Sequence, residues 1–251
     1  MALRASRGIF LIMPNLPVPR IICLGDSISQ YGWNIAEGGF VGLLAECYSP
    51  KADVICRGLS GFTSEMLLHY MYNSNILDSL DCKNQDTSIL YVTVCIGAND
   101  ASSPTQNPIQ SVPISEYRKN LVDILSFIHA AGVPYDRIIV VAPPPVADPV
   151  KYPFLCEHGK SPLLTEEYAQ ACLEIAKEVG SRTADIRPLW DEAEVIWTDG
   201  LHMNREGNRL LFQAIMNACG SDLRPESIPF PWTHWSQYRA STMGKGVDTN
   251  Q

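Results

Sequence analysis

The segment Ile89 to Ile96, ILYVTVCI, runs without a charged residue, is rich in β-branched side chains and is halted by Gly97. Such a run reads as a strand covered on both faces, because a strand with one wet face alternates apolar and polar positions. Shorter runs repeat the pattern at Ile21 to Leu24, stopped by Gly25, and at Ala52 to Cys56. Another, Arg137 to Ala142, ends at the prolines 143 to 145, and Ala184 to Ile186 is a fifth. Helical spacing fills the gaps: Phe40 to Tyr48, Ser64 to Tyr72, Ser115 to Ala131 with Ser115 as its cap, Thr165 to Val179, and Asn204 to Cys219. The order βαβαβαβαβα predicts an α/β fold: a doubly wound, flavodoxin-like three-layer sandwich around a parallel five-stranded sheet.

The chain has 251 residues, 46% of them hydrophobic and 18% charged, a balance that supports one large core. Residues 21–220 form the expected domain. Residues 1–20 are expected to be a disordered lead, and residues 221–251 a tail that packs Trp232 and Trp235 on the body and ends in disorder. A net charge of -8 lacks the positive field that phosphates attract, so nucleic acid is not an expected partner. The apolar stretch Gly8 to Met13 is too short for a bilayer span. Eight cysteines without a CxxC pair read as reduced thiols rather than as staples or metal ligands. The cytoplasm is the expected location; the lead, with three Arg and no acid, leaves organelle targeting as the alternative.

In open α/β sheets ligands bind at the carboxyl ends of the strands, so the loops after the strands are where chemistry should collect. After the first strand stands Gly25-Asp26-Ser27-Ile28-Ser29, with a hydroxyl at a strand-to-helix turn; a plain helix cap would read the same way. After the second comes Arg57-Gly58-Leu59-Ser60-Gly61, whose glycines either admit backbone N–H groups to a substrate or simply turn the chain. After the third, Gly97-Ala98-Asn99-Asp100 offers a neutral amide donor, or an ordinary turn pair. Asp199-Gly200-Leu201-His202 precedes the last helix with a spacing that can fold a carboxylate back onto an imidazole.

Taken in this order, Gly25-Asp26-Ser27, Gly58, Gly97-x-Asn99-Asp100 and Asp199-x-x-His202 resemble the SGNH hydrolases of the GDSL esterase/lipase group. The likeness spans roughly Ile21 to Cys219. Within that group, Gly32-Trp33, Arg57-Gly58-Leu59-Ser60-Gly61, Val112-Pro113-Ile114 before Glu116-Tyr117, and the proline run look like the isoamyl acetate-hydrolysing esterases. The resemblance implies a Ser27 nucleophile, a His202 base oriented by Asp199, and an oxyanion hole of the Ser27 and Gly58 N–H groups with the Asn99 amide. It implies a small carboxylic, acetate-type ester as substrate, an acyl-enzyme, and no metal or cofactor. Lysophospholipids, thioesters and acetylated sugars are the rival substrates of the same fold. A ligand-binding or scaffold module is the non-enzymatic alternative, and a glycosidase built on Asp26 and Asp100 is another rival. Two positions depart from the family pattern. Ile28 replaces Leu, and Cys56 stands where many members carry Asn, so the support that Asn gives its loop is expected to be missing.

Overall fold

The computed structural model describes residues 18–74 and 88–229. Strands β1 (Arg20–Gly25), β2 (Asp53–Gly58), β3 (Ile89–Cys95), β4 (Ile138–Val141) and β5 (Arg182–Ala184) form one sheet in the order β2-β1-β3-β4-β5. Every pairing is parallel. The helices are α1 (Ser27–Tyr31), α2 (Phe40–Tyr48), α3 (Ser64–Asn73), α4 (Ile114–Ala130), α5 (Pro153–Glu157), α6 (Pro162–Val179) and α7 (Arg205–Ala218).

The apolar runs split between two cores, as the pleat requires. Ile21 and Cys23 of β1 and Ile139 and Val141 of β4 face one side, where Phe40 and Leu44 of α2 and Leu211 and Ile215 of α7 cover them. Ile22, Leu24, Ile138 and Val140 face the other, under Leu67 of α3, Leu121 and Ile124 of α4 and Ile175 of α6. Helices therefore cover both faces of the sheet, and this is the expected three-layer α/β sandwich. β3 is buried along its whole length. β2 lies at the edge and is only partly covered, so the double-sided burial read from its sequence holds less well there.

Several boundaries differ from the sequence reading, and the short helices α1 and α5 are not among its elements. Ser115 does not cap α4: the Pro113 carbonyl accepts from Tyr117 N at 2.9 Å, so the helix starts earlier and Ser115 lies inside its first turn. α6 likewise begins before Thr165, because Ser161 Oγ accepts from Leu164 N at 3.2 Å and Pro162 supplies the preset φ of a first helical position. β5 pairs Arg182 to Ala184 with Ile139 to Val141; Asp185 then accepts from Arg187 N at 3.0 Å and turns the chain, which takes Ile186 out of the strand. Beyond Gly220, Leu223 and Ile228 are buried against the body, with Tyr48 Oη donating to the Leu223 carbonyl at 2.8 Å. Trp232 and Trp235 lie outside the described residues.

Candidate active site

Asp26 follows β1 and caps α1, its Oδ1 accepting from Ile28 N at 2.9 Å, so Ser27 stands at the first helical position. The turn before it is tight: a Cβ on Gly25 would lie 2.1 Å from the Cys95 carbonyl oxygen of β3. From the far end of the chain, His202 meets this serine. Its Nε2 lies 2.9 Å from Ser27 Oγ and its Nδ1 2.7 Å from Asp199 Oδ2.

The protonation pattern follows from Asp199. Burial alone would raise this carboxyl, but hydrogen bonds from the His202 ring and N–H and from Leu201 N outweigh it and hold the group at about 2. An ionised carboxylate only accepts, so Nδ1 carries a proton, and in the neutral ring Nε2 is then the acceptor that faces the Ser27 hydroxyl. A hydroxyl donating to a neutral imidazole that is backed by a carboxylate has a base in place to take its proton. Tyr31 of α1 meets the His202 ring edge-on at 4.9 Å.

The other two candidates lie on the neighbouring loops. Gly58 ends β2 against α1, where a Cβ would sit 2.1 Å from Gln30 N; any side chain would push the serine's helix away. Close approach rather than a left-handed φ is why glycine stands here. Cys56, expected to leave the loop without its Asn, supplies a tie of its own: its thiol donates to the Ser29 carbonyl at 3.2 Å. The loop support is therefore present in another form. Asn99 is nearly buried, and its Nδ2 donates to the Phe62 carbonyl at 2.8 Å, leaving a second N–H on the same nitrogen.

Beneath Asn99 lies a residue the sequence reading passed over. Lys160, buried, donates to the carbonyls of Ala98 at 2.6 Å and Asn99 at 3.1 Å and to Ser102 Oγ at 2.6 Å. Burial lowers its ammonium to about 8, against the pull of Asp26 and Asp100. Burial raises Asp26 to about 7, and raises Asp100 to about 6 despite hydrogen bonds from Ser64. Asp26 is occupied with the α1 cap, and Asp100 accepts from Ser64 N and Oγ at 2.9 and 2.5 Å. Both carboxyls are fully buried, which removes them as a glycosidase pair.

A shallow cleft of about 490 Å³ opens beside the imidazole, lined by Tyr31, Asn34, Glu37, Phe154, Thr198, Asp199, His202 and Met203. A larger groove of about 670 Å³ around Trp190 and Trp197 includes none of the five candidates.

Residues 23–210 match the model of the GDSL-like lipase/acylhydrolase family. The chain belongs to this family. It is similar to the isoamyl acetate-hydrolyzing esterase 1 homolog of Mus musculus, with 32% identity over 242 residues, covering 92% of this chain and 91% of that one. A GDSL esterase/lipase of Arabidopsis thaliana is 32% identical over 209 residues, covering 78% and 83%. Among solved structures, a catalytic mutant of an acetylxylan esterase from Geobacillus stearothermophilus superposes with a TM-score of 0.62 at 19% identity, covering 83% of this chain and 97% of that one. A lipase/acylhydrolase from Enterococcus faecalis gives 0.59 at 21% identity, over 82% and 98%. These last two share the fold. Family membership makes the chain a carboxylic ester hydrolase, an esterase of the SGNH acylhydrolase type. No helix among the described residues is long and apolar enough to cross a membrane.

Proposed function

We propose that the protein is a serine esterase for small acetate-type esters, with Ser27 as nucleophile, His202 as base and Asp199 as its orienting carboxylate. The observation that carries this reading is the unbroken hydrogen-bond chain from Asp199 through His202 to Ser27. Ser27 Oγ bonds to the ester carbonyl carbon as its proton passes to His202 Nε2, and the carbonyl electron pair moves onto oxygen. The oxyanion is held by the N–H groups of Ser27 and Gly58 and the second N–H of Asn99. Collapse expels the alcohol, which takes the proton from His202. Water, deprotonated by the same ring, then attacks the acyl-serine; the bond from the acyl carbon to Ser27 Oγ breaks as His202 returns the proton to that oxygen, and the carboxylic acid leaves.

The alcohol leaves on the side of His202, so the cleft walled by Tyr31 and Phe154 is its berth. The name of the mouse relative supports an acetyl group on an alcohol of modest size. The acetylxylan esterase of the same fold supplies the rival leaving group, a sugar. A panel of p-nitrophenyl esters from acetate to palmitate, with acetylated sugars and lysophospholipids beside it, tests the assignment. Acetate is expected to give the highest kcat/KM, and Ser27→Ala to abolish turnover while folding is retained. A preference for palmitate, or an active alanine variant, would overturn it.

A further inference from the structure

Asn99 is useful to an oxyanion only if its amide nitrogen, not its oxygen, faces the reacting centre. The two orientations have nearly the same shape, so packing alone does not choose between them. Hydrogen bonds do. Asn99 Nδ2 donates to the Phe62 carbonyl at 2.8 Å, and Asn99 Oδ1 accepts from Gln110 Nε2 at 3.3 Å. Turning the amide over would set oxygen against the Phe62 carbonyl and nitrogen against the Gln110 nitrogen, two repulsive contacts in place of two attractive ones.

Gln110 is oriented in its turn. Its Nε2 also donates to the Gly61 carbonyl at 2.8 Å, and its Oε1 accepts from Asn107 Nδ2 at 2.8 Å. Each of its two polar atoms is thereby committed. Three amides stand in series, Asn107 to Gln110 to Asn99, each donating to the next. Gln110 also ties Gly61, in the turn that follows Gly58 at the end of β2, to Asn99 in the turn after β3.

We infer that Gln110 is a positioning residue: with Asn107 behind it, it sets which end of the Asn99 amide faces the oxyanion, and it acts only through Asn99. The inference rests on the proposed role of Asn99 as an oxyanion donor. Bonds of this kind polarise and strengthen one another in series.

The test measures kcat and KM for p-nitrophenyl acetate on the full chain, per active site titrated with a phosphonate, for Asn99→Ala, Gln110→Ala, Gln110→Glu and each Gln110 variant combined with Asn99→Ala. Loss of an oxyanion donor lowers kcat by about 10²- to 10³-fold. Gln110→Ala, which frees the amide to turn, is expected to lower kcat roughly fivefold to tenfold with KM little changed. Gln110→Glu keeps the length of the side chain but offers only oxygen to Asn99 Oδ1. It is expected to turn the amide over and to approach the loss seen in Asn99→Ala. In the Asn99→Ala background neither change should lower kcat further by more than about twofold. Equal losses in both backgrounds would mean that Gln110 merely supports the fold, and would overturn the inference while leaving Asn99 in place. Unchanged kcat in both Gln110 single variants, with Asn99→Ala impaired, would overturn it as well. Normal kcat in Asn99→Ala would instead remove Asn99 from the oxyanion hole, and the inference with it.

Discussion

His202 engages both carboxylate oxygens of Asp199: its backbone N–H reaches Oδ1 at 2.8 Å and its ring Nδ1–H reaches Oδ2 at 2.7 Å. One side chain therefore shapes the turn that carries the imidazole and also chooses its tautomer. Leu201 N adds a third donor, to Oδ1 at 3.0 Å.

Asp199→Asn separates those two tasks. The remaining amide oxygen can still accept from the backbone N–H groups and keep the turn, but an NH₂ group now opposes Nδ1–H. The ring is driven to the tautomer with its proton on Nε2, which cannot accept from Ser27. The expected result is a fall in kcat of about 10³- to 10⁴-fold with unfolding little changed. A loss below about tenfold would show that Asp199 serves the turn alone.

Lys160→Met removes the donor shared by the carbonyls of Ala98 and Asn99 and by Ser102 Oγ; the Asn99 carbonyl keeps the bond from Ser102 Oγ at 2.7 Å, and the buried Ala98 carbonyl loses its donor. An orphaned buried acceptor costs about 1 to 3 kcal/mol, so a destabilisation of that size is expected in urea unfolding at pH 7. A change under about 1 kcal/mol would place water or a neighbouring donor in that site.

The buried carboxyl of Asp26 makes stability fall as pH rises. Burial raises it from the ordinary 3.8 to about 7, so the folded state holds its proton more tightly than the unfolded chain does. That contribution is complete below about pH 3.8 and is lost as pH climbs through about 7. Asp26→Asn keeps the oxygen that caps α1 and removes the titration. The unfolding midpoint of the variant should therefore gain on that of the native protein between pH 5 and pH 8. A difference that stays constant across this range would show that Asp26 does not titrate there.

Much of the site was legible because its signals are local. Gly25-Asp26-Ser27 is a strand end and a cap in consecutive residues, and Asp199 and His202 meet across a single turn. Lys160 and Gln110 carried no such mark. A lysine after a short helix reads as solvated surface, and only the packing of its loop under Ala98, 62 positions away, makes it a buried donor. Cys56 was read as a loss, since a thiol's hydrogen bond to Ser29 depends on how closely β2 approaches α1.

The strand runs, the glycine stops and the two halves of the site are legible from the residues alone, because turns and two-sided burial are written in consecutive positions. That Ser27 and His202, 175 positions apart, stand 2.9 Å from each other follows from the folded topology. Parallel strands place the loops that follow them together at the carboxyl ends of the sheet, and the order β2-β1-β3-β4-β5 sets which of those loops become neighbours. The orientation of the Asn99 amide was decided at the same level, since its partners come from Phe62 and Gln110, on separate loops that meet only in the folded chain.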